Sequence, residues 1–345
     1  MSFQAKTDEQ IEHGIAKELY ISGFEKHIIQ CCKQPEWSLR AWMKKVLQRA
    51  GFTEFYEDGY LSDRVRKDKR YSSVHNLLAI RGHNANICLA AHTDICRDHN
   101  EDRSENDKYG KYGVMDYWMY NREPSEKDMP RTPRQVEPVI KSVEMDGIVR
   151  RVIQDRECRL QVGGDDRLGV AIITWIALNT GYDMGLYFPT DEEIGLKSAS
   201  ACKMERLKAF ELIAQVDRGN HTDELVNKIN GDILADYDTT CRALTIAYNL
   251  GMPRTIVNGA GTDVAALKRN GYAKQAFNMT CGYHNSVSSQ PNEYIDIEEA
   301  TNTLRFVAGL VKDYNLNGPF LDLPVAETKE VEEAEEVEVE TTRQN

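Results

Sequence analysis

The chain has 345 residues, 41% of them hydrophobic, and 43 Lys and Arg stand against 55 Asp and Glu for a formal charge of −12. That sign opposes a broad phosphate-binding surface, so no nucleic-acid partner is expected. The longest apolar stretch, residues 168–178, is far shorter than the roughly 20 residues that span a bilayer, so no membrane partner is expected either, and the length suits one large domain or a domain with an insertion.

Ser38, followed by apolar Leu39, Trp42, Met43, Val46 and Leu47, predicts a helix that Ser38 caps and Gly51 ends. Residues 74–80 and 87–91 read as strands, the second stopping at His92, and the basic cluster at 64–70 reads as a solvated loop. From Arg97 to Arg134 the composition turns charged, aromatic and Pro-containing with no helical period, which reads as an insertion. Asp146 and Gly147, between runs at 138–145 and 148–153, predict a hairpin turn. GGDDRLG at 163–169 then opens a buried helix carrying Leu168, Ala171, Ile172, Trp175 and Ile176. Alternation continues with a strand at 185–190, a helix near 199–210, a strand at 212–216, a short helix after Thr262 and a strand at 275–281. A last helix, with Ala300, Leu304, Val307, Ala308 and Val311 on one face, follows a capping-box pattern of Asp296 and Glu299. Such alternation predicts an α/β sandwich with a mainly parallel sheet. The expected division is a body of 1–96 with 146–325, an insertion at 97–145 serving as lid or assembly surface, and a disordered acidic tail at 326–345.

Eight cysteines with no C-x-x-C pair, and a polar N-terminus, predict reduced thiols in a cytoplasmic protein. Five short segments carry the chemistry: AAHTD at 90–94, GGDDRLG at 163–169, TDEEIG at 190–195, AQVD at 214–217 and GYHNS at 282–286. Each places a His or carboxylate at or just beyond the end of a predicted strand, where open α/β sheets gather their ligands. The inventory is His92, Asp165, Glu193, Asp217 and His284, with Glu192 beside them. Carboxylates converging in one cleft repel one another unless protons or cations neutralise them, and imidazole with carboxylate suits zinc, or cobalt or manganese. If Asp165 bridges two ions, His92 and Asp217 complete one and His284 and Glu193 the other. Glu192, left uncoordinated, is then the natural general base for a water between the ions. Asp94, two residues from His92 along an extended segment, can orient the imidazole. Residue types alone leave open whether Asp165 or Asp166 is the ligand, whether Asp263 supports the site or caps a helix, and whether Tyr283 serves an oxyanion or an interface. His99 and His221 read as surface groups.

HTD, DDRLG, DEEIG, VD and YHNS, in this order, resemble the signature of the zinc-dependent exopeptidases with two co-catalytic metals, a group that includes leucyl, glutamyl and deblocking aminopeptidases and the aminoacylase and carboxypeptidase branch. The resemblance runs from about Ser38 to Lys312, and GAGTDVAALKRNGY at 259–272 is similar to the glutamyl and deblocking branch in particular. It implies a three-layer α/β/α core with a mixed, mainly parallel sheet, interrupted by an insertion after the first metal-binding strand. It also implies His92, Asp165, Glu193, Asp217 and His284 as metal ligands, Glu192 as base, Asp94 as the orienting carboxylate, and a cis peptide after Asp165. Asp165 is selected over Asp166 because the family's ligand lies four positions before the Gly opening the helix, here Gly169. The 73-position step from His92 to Asp165 is shorter than the full inserted domain of the glutamyl-type branch, which speaks against its large multi-subunit shell. The 67-position step from Asp217 to His284 leaves no room for the lid domain of the aminoacylase and carboxypeptidase branch. The expectation is a two-metal hydrolase of peptide bonds, an aminopeptidase using a metal-bridging hydroxide, zinc-loaded, acting on a peptide or small amide and able to form a homo-oligomer. The alternatives are an amidohydrolase or dipeptidase acting on acylated amino acids or small peptides, and a binding protein that keeps the fold without catalysis.

Overall fold

The computed structural model describes residues 19–34, 36–60, 75–94, 136–158, 161–193, 195–286 and 293–318. Residues 97–134 of the insertion expected at 97–145, the basic cluster at 64–70 and the acidic tail lie outside them. In chain order the elements are α1 (Leu19–Lys33), α2 (Glu36–Arg49), β1 (Glu54–Glu57), β2 (Leu77–Arg81), β3 (Ile87–Ala90), β4 (Pro138–Met145), β5 (Ile148–Asp155), α3 (Gly164–Asn179), β6 (Met184–Phe188) and α4 (Lys197–Ser200). They continue with β7 (Leu212–Arg218), β8 (Glu224–Ile229), β9 (Asp232–Ile233), α5 (Tyr237–Asn249), β10 (Thr255–Gly259), α6 (Asp263–Arg269), β11 (Gln275–Thr280), β12 (Tyr283–His284), β13 (Tyr294–Asp296) and α7 (Ile297–Asn317).

The main sheet runs β1-β2-β6-β3-β7-β11-β8-β10, with β9 on β8. Its centre, β6-β3-β7-β11, is parallel, and antiparallel pairings at β2/β6 and β11/β8 make the whole mixed. The strand pleat explains the layering, because successive side chains point to opposite faces. Leu77, Ala79, Ile87, Leu89, Leu186 and Phe188 enter one apolar cluster with α1, α2, α3, α5 and α7. Leu78, Ile80, Cys88, Ala90 and Tyr187 enter a second cluster with Leu207, Phe210, Val264 and Leu267 on the other face. Three layers result, as expected for the α/β/α sandwich. Strands buried on both faces read as continuous apolar runs, which is why β3 and β6 stood out in the sequence.

A second, antiparallel sheet, β12-β13-β5-β4, carries the hairpin foreseen at 138–153; its turn residues Asp146 (φ 53) and Gly147 (φ 77) take the left-handed values a tight hairpin demands. Four local expectations change. Ser38 lies inside α2, which begins two residues earlier, so its hydroxyl donates to Gln34 Oε1 at 3.2 Å instead of capping. The helix expected near 199–210 is only α4 followed by a 3-10 turn, Glu205–Ala209, because the buried side chains Ala199, Cys202, Met204, Leu207 and Phe210 recur too irregularly for a 3.6-residue stripe. Helix α5 was not foreseen: its inward face holds Thr240 and Arg242 beside Ala243 and Ala247, a stripe with little apolar contrast. At α7, Asp296 accepts from Glu298 N and Glu299 N, but Glu299 turns to Arg150 and His284, so half of the capping box forms. No described helix is long and apolar enough to cross a membrane.

Candidate metal centre

Strands β6, β3 and β7 are neighbours and parallel, so the chain leaves all three on one side of the sheet. His92 follows β3 by two residues, Glu192 and Glu193 follow β6, and Asp217 is the penultimate residue of β7. The start of α3 delivers Asp165 and Asp166 to the same point, and the peptide between them is cis. Two overlapping groups meet the spacing for a metal ion: His92, Asp165 and Glu193, and His92, Asp166 and Asp217.

His92 is completely buried. Its Nδ1 lies 2.8 Å from the carbonyl oxygen of Asp94, which can only accept, so Nδ1 carries the proton and donates. A neutral ring then presents a bare lone pair at Nε2, and that atom faces Asp165 Oδ1 at 2.9 Å and Asp217 Oδ1 at 3.4 Å. Three electron-rich atoms do not converge this closely without a positive charge among them. With protein alone around it, burial works against the imidazolium, yet Asp217 and Asp165 drive the His92 pKa well above its ordinary value. A divalent cation satisfies the same electrostatic demand with no extra proton, and imidazole with carboxylate is a donor set for zinc, cobalt or manganese. The residues present therefore fit a metal.

The surrounding carboxyls show the same strain of charge. Burial, opposed by His92 and helped by the neighbouring carboxylates, pushes Asp217 up to about 6 and Glu192 well above the carboxylate range. Asp94 meets both His92 and the two glutamates. Its carbonyl is the nearer partner of the imidazole, its carboxylate lies 3.5 Å from Nδ1, and the two carboxylate oxygens accept from Glu192 N at 3.1 Å and Glu193 N at 3.2 Å. Asp94 thus positions a histidine through its backbone and two glutamates through its side chain. Asp166 accepts from Gly169 N at 2.9 Å, closing the first turn of α3, and from His92 N at 3.2 Å.

His284 stands apart from these groups. It sits on β12, with Nε2 2.8 Å from Glu299 Oε2 and its ring stacked on Tyr294. Tyr283 is buried; its hydroxyl donates to Asp217 Oδ1 at 3.3 Å, which leaves it supporting a carboxylate. Four further residues brace the site, and of these the sequence singles out only Asp263. Gln215 Nε2 donates to Asp217 Oδ2 at 2.9 Å and to Asp263 Oδ2 at 3.0 Å, while its Oε1 accepts from Thr262 Oγ1 at 2.6 Å and Val264 N at 3.0 Å. Asp263, which starts α6, is fully buried with Oδ1 unpartnered, and burial raises it to about 8. Arg167, also fully buried, donates to the Thr93 carbonyl beneath His92. Glu293 accepts from Gly163 N at 2.6 Å and Asp165 N at 3.2 Å. At the rim, Tyr60 donates to Asp191 Oδ2 at 2.7 Å, and His75 Nδ1 meets the Tyr60 carbonyl at 2.7 Å.

No protein-family model and no curated protein matches the chain. Solved structures do. A tripeptidase from Staphylococcus aureus superposes with a TM-score of 0.57 at 12% identity, covering 84% of this chain and 97% of that one. The aminopeptidase PepT from Bacillus cereus gives 0.56 at 13% identity, covering 84% and 97%. A TET aminopeptidase from a thaumarchaeon of marine sediment gives 0.56 at 13%, covering 86% and 99%. At such identities the likeness is one of fold: this chain has the architecture of these peptidases over nearly their whole length.

Proposed function

We propose that this chain is a two-metal exopeptidase, an aminopeptidase that hydrolyses the first peptide bond of a short peptide. The observation that carries the reading is the convergence of His92 Nε2 with Asp165 Oδ1 and Asp217 Oδ1 at 2.9 and 3.4 Å, a donor set that calls for a cation at the end of the parallel strands. His92, Asp165, Asp217 and Glu193 would hold the ions, with His284 assigned to the second by the resemblance. Two bound divalent cations, zinc first, would polarise the scissile carbonyl and lower the pKa of water from 15.7 toward about 7. Glu192 takes the proton of the attacking water on its carboxylate and returns it to the leaving amine. Asp94, through Glu192 N and Glu193 N, keeps that base beside a metal-holding carboxylate. The fold likeness to a tripeptidase and two aminopeptidases supports peptides over other amides.

Elemental analysis of the purified protein, with a panel of fluorogenic free-amine and N-blocked peptides, tests the proposal. Bound zinc or cobalt with cleavage of free-amine substrates supports it. Cleavage of N-blocked substrates alone would replace it with an amidohydrolase, and no bound ion with no cleavage would end it.

A further inference from the structure

We propose that Glu293 is a positioning residue of the metal centre: its carboxylate fills a cradle of backbone N–H groups at 163–165 and sets the pose of Asp165. Given the metal reading above, this adds to that reading a residue outside its ligand set. The turn before α3 exposes successive amides in one direction because Gly163 takes a left-handed φ of 84 and Asp165 an extended ψ of 105. Glu293 occupies that concavity with Oε2 2.6 Å from Gly163 N and Oε1 3.2 Å from Asp165 N, and it is 1% exposed. Consecutive amides aimed at one point form an anion-binding nest. Here the anion is part of the protein, brought across from the residue preceding β13 in the second sheet.

The cradle admits no slack. A Cβ at Gly164 would lie 2.5 Å from Tyr283 Cβ and 3.3 Å from Glu293 Oε1, and one at Gly219 would lie 2.0 Å from the Tyr283 ring. The turn is therefore clamped between the Tyr283 ring and the Glu293 carboxylate. Asp165 Oδ1 meets His92 Nε2 at 2.9 Å from a side chain 24% exposed, so the backbone pose set at 163–165 bears directly on that contact. Without Glu293 two buried amides lose their acceptors, and the turn that aims Oδ1 at His92 Nε2 is free to relax.

The test compares wild type with Glu293→Gln and Glu293→Asp, by calorimetric titration of the metal-free protein with cobalt(II), the visible cobalt spectrum, amide hydrogen exchange at 163–165, and steady-state kinetics. The amide of Gln keeps the volume but turns an N–H toward the nest, and Asp keeps the charge but falls short by one methylene. The expected result is a 10–100-fold loss of cobalt affinity with an altered spectrum, faster exchange at Gly163 and Asp165, and a fall in kcat with KM little changed. A carboxylate of purely structural value would lower the melting temperature and leave affinity and spectrum alone; that result overturns the proposal. Should Glu293→Gln fail to fold, Glu293→Asp decides by the same readouts. If wild type binds no cobalt, the metal reading falls and takes this one with it. If wild type binds normally and both variants match it, only the role of Glu293 falls.

Discussion

At the scale of single residues, the site divides into groups that hold charge and groups that hold those groups in place. Glu192→Gln removes the proton acceptor without touching a proposed ligand. It is expected to retain the wild-type metal content by elemental analysis while turnover drops by roughly 10²–10⁴-fold, the usual worth of a general base. Gln215 makes the complementary case. Its amide links Asp217 to Asp263, so Gln215→Ala leaves both carboxylates short of a donor. A cobalt(II) titration should show affinity weakened by about 10–100-fold, and unaltered affinity would show the link to be dispensable. The contrast also explains what the sequence disclosed. His92, Asp165, Glu192, Glu193 and Asp217 are rare residue types at strand ends, in short runs that mark a strand stopping at a crevice. Gln215 and Glu293 are ordinary residues whose importance lies in backbone and carboxylate partners 48 to 130 positions away, and no local pattern records such pairings.

Among elements, α3 is the one on which the site rests, and its packing is unusually intolerant. A Cβ at Gly169 would sit 2.2 Å from the Val216 carbonyl and 2.3 Å from Asp166 Oδ1, so the helix meets β7 at backbone distance. Gly169→Ala should destabilise the fold by about 1–3 kcal/mol or more, read as a lower urea midpoint. On its other side α3 is joined to α1, where His27 Nε2 lies 2.8 Å from Thr174 Oγ1. Burial depresses the His27 pKa from 6.5 to about 4. The folded state therefore binds this proton less readily than the unfolded chain. Its contribution is complete above pH 6.5 and drains away as pH falls toward 4, by about 3 kcal/mol over that window. His27→Gln should flatten the urea stability profile between pH 7 and pH 4 by that amount relative to wild type, and an unchanged slope would show the ring to be solvated. Several elements were not read from the sequence, the core helix α1 among them. Strands β8 and β10, two of them, sit at one edge of the main sheet, and their faces carry less apolar contrast than β3 or β6.

For the whole molecule, the proposed ions bind a folded arrangement of residues drawn from positions 92 to 284, which the unfolded chain cannot offer. Saturating zinc at about 100 times its dissociation constant should then stabilise the protein by about 2.7 kcal/mol per site, and a chelator should lower the melting temperature. A melting temperature indifferent to both would count against a resident metal. The three-layer architecture was legible because its central strands are buried on both faces. The second sheet was legible only at its hairpin, since β12 and β13 are two and three residues long and their pairing joins distant parts of the chain.

The rim contact between Tyr60 and His75 has a practical corollary. One hydrogen bond ties Tyr60 to His75, 15 positions apart in the chain, so a segment inserted between those positions starts and ends at points already held together. An affinity handle or a fluorescent reporter spliced there adds only about 0.6 kcal/mol of closure entropy for each doubling of length. A reporter so placed would begin beside Tyr60, whose hydroxyl holds the carboxylate of Asp191 next to the proposed base Glu192.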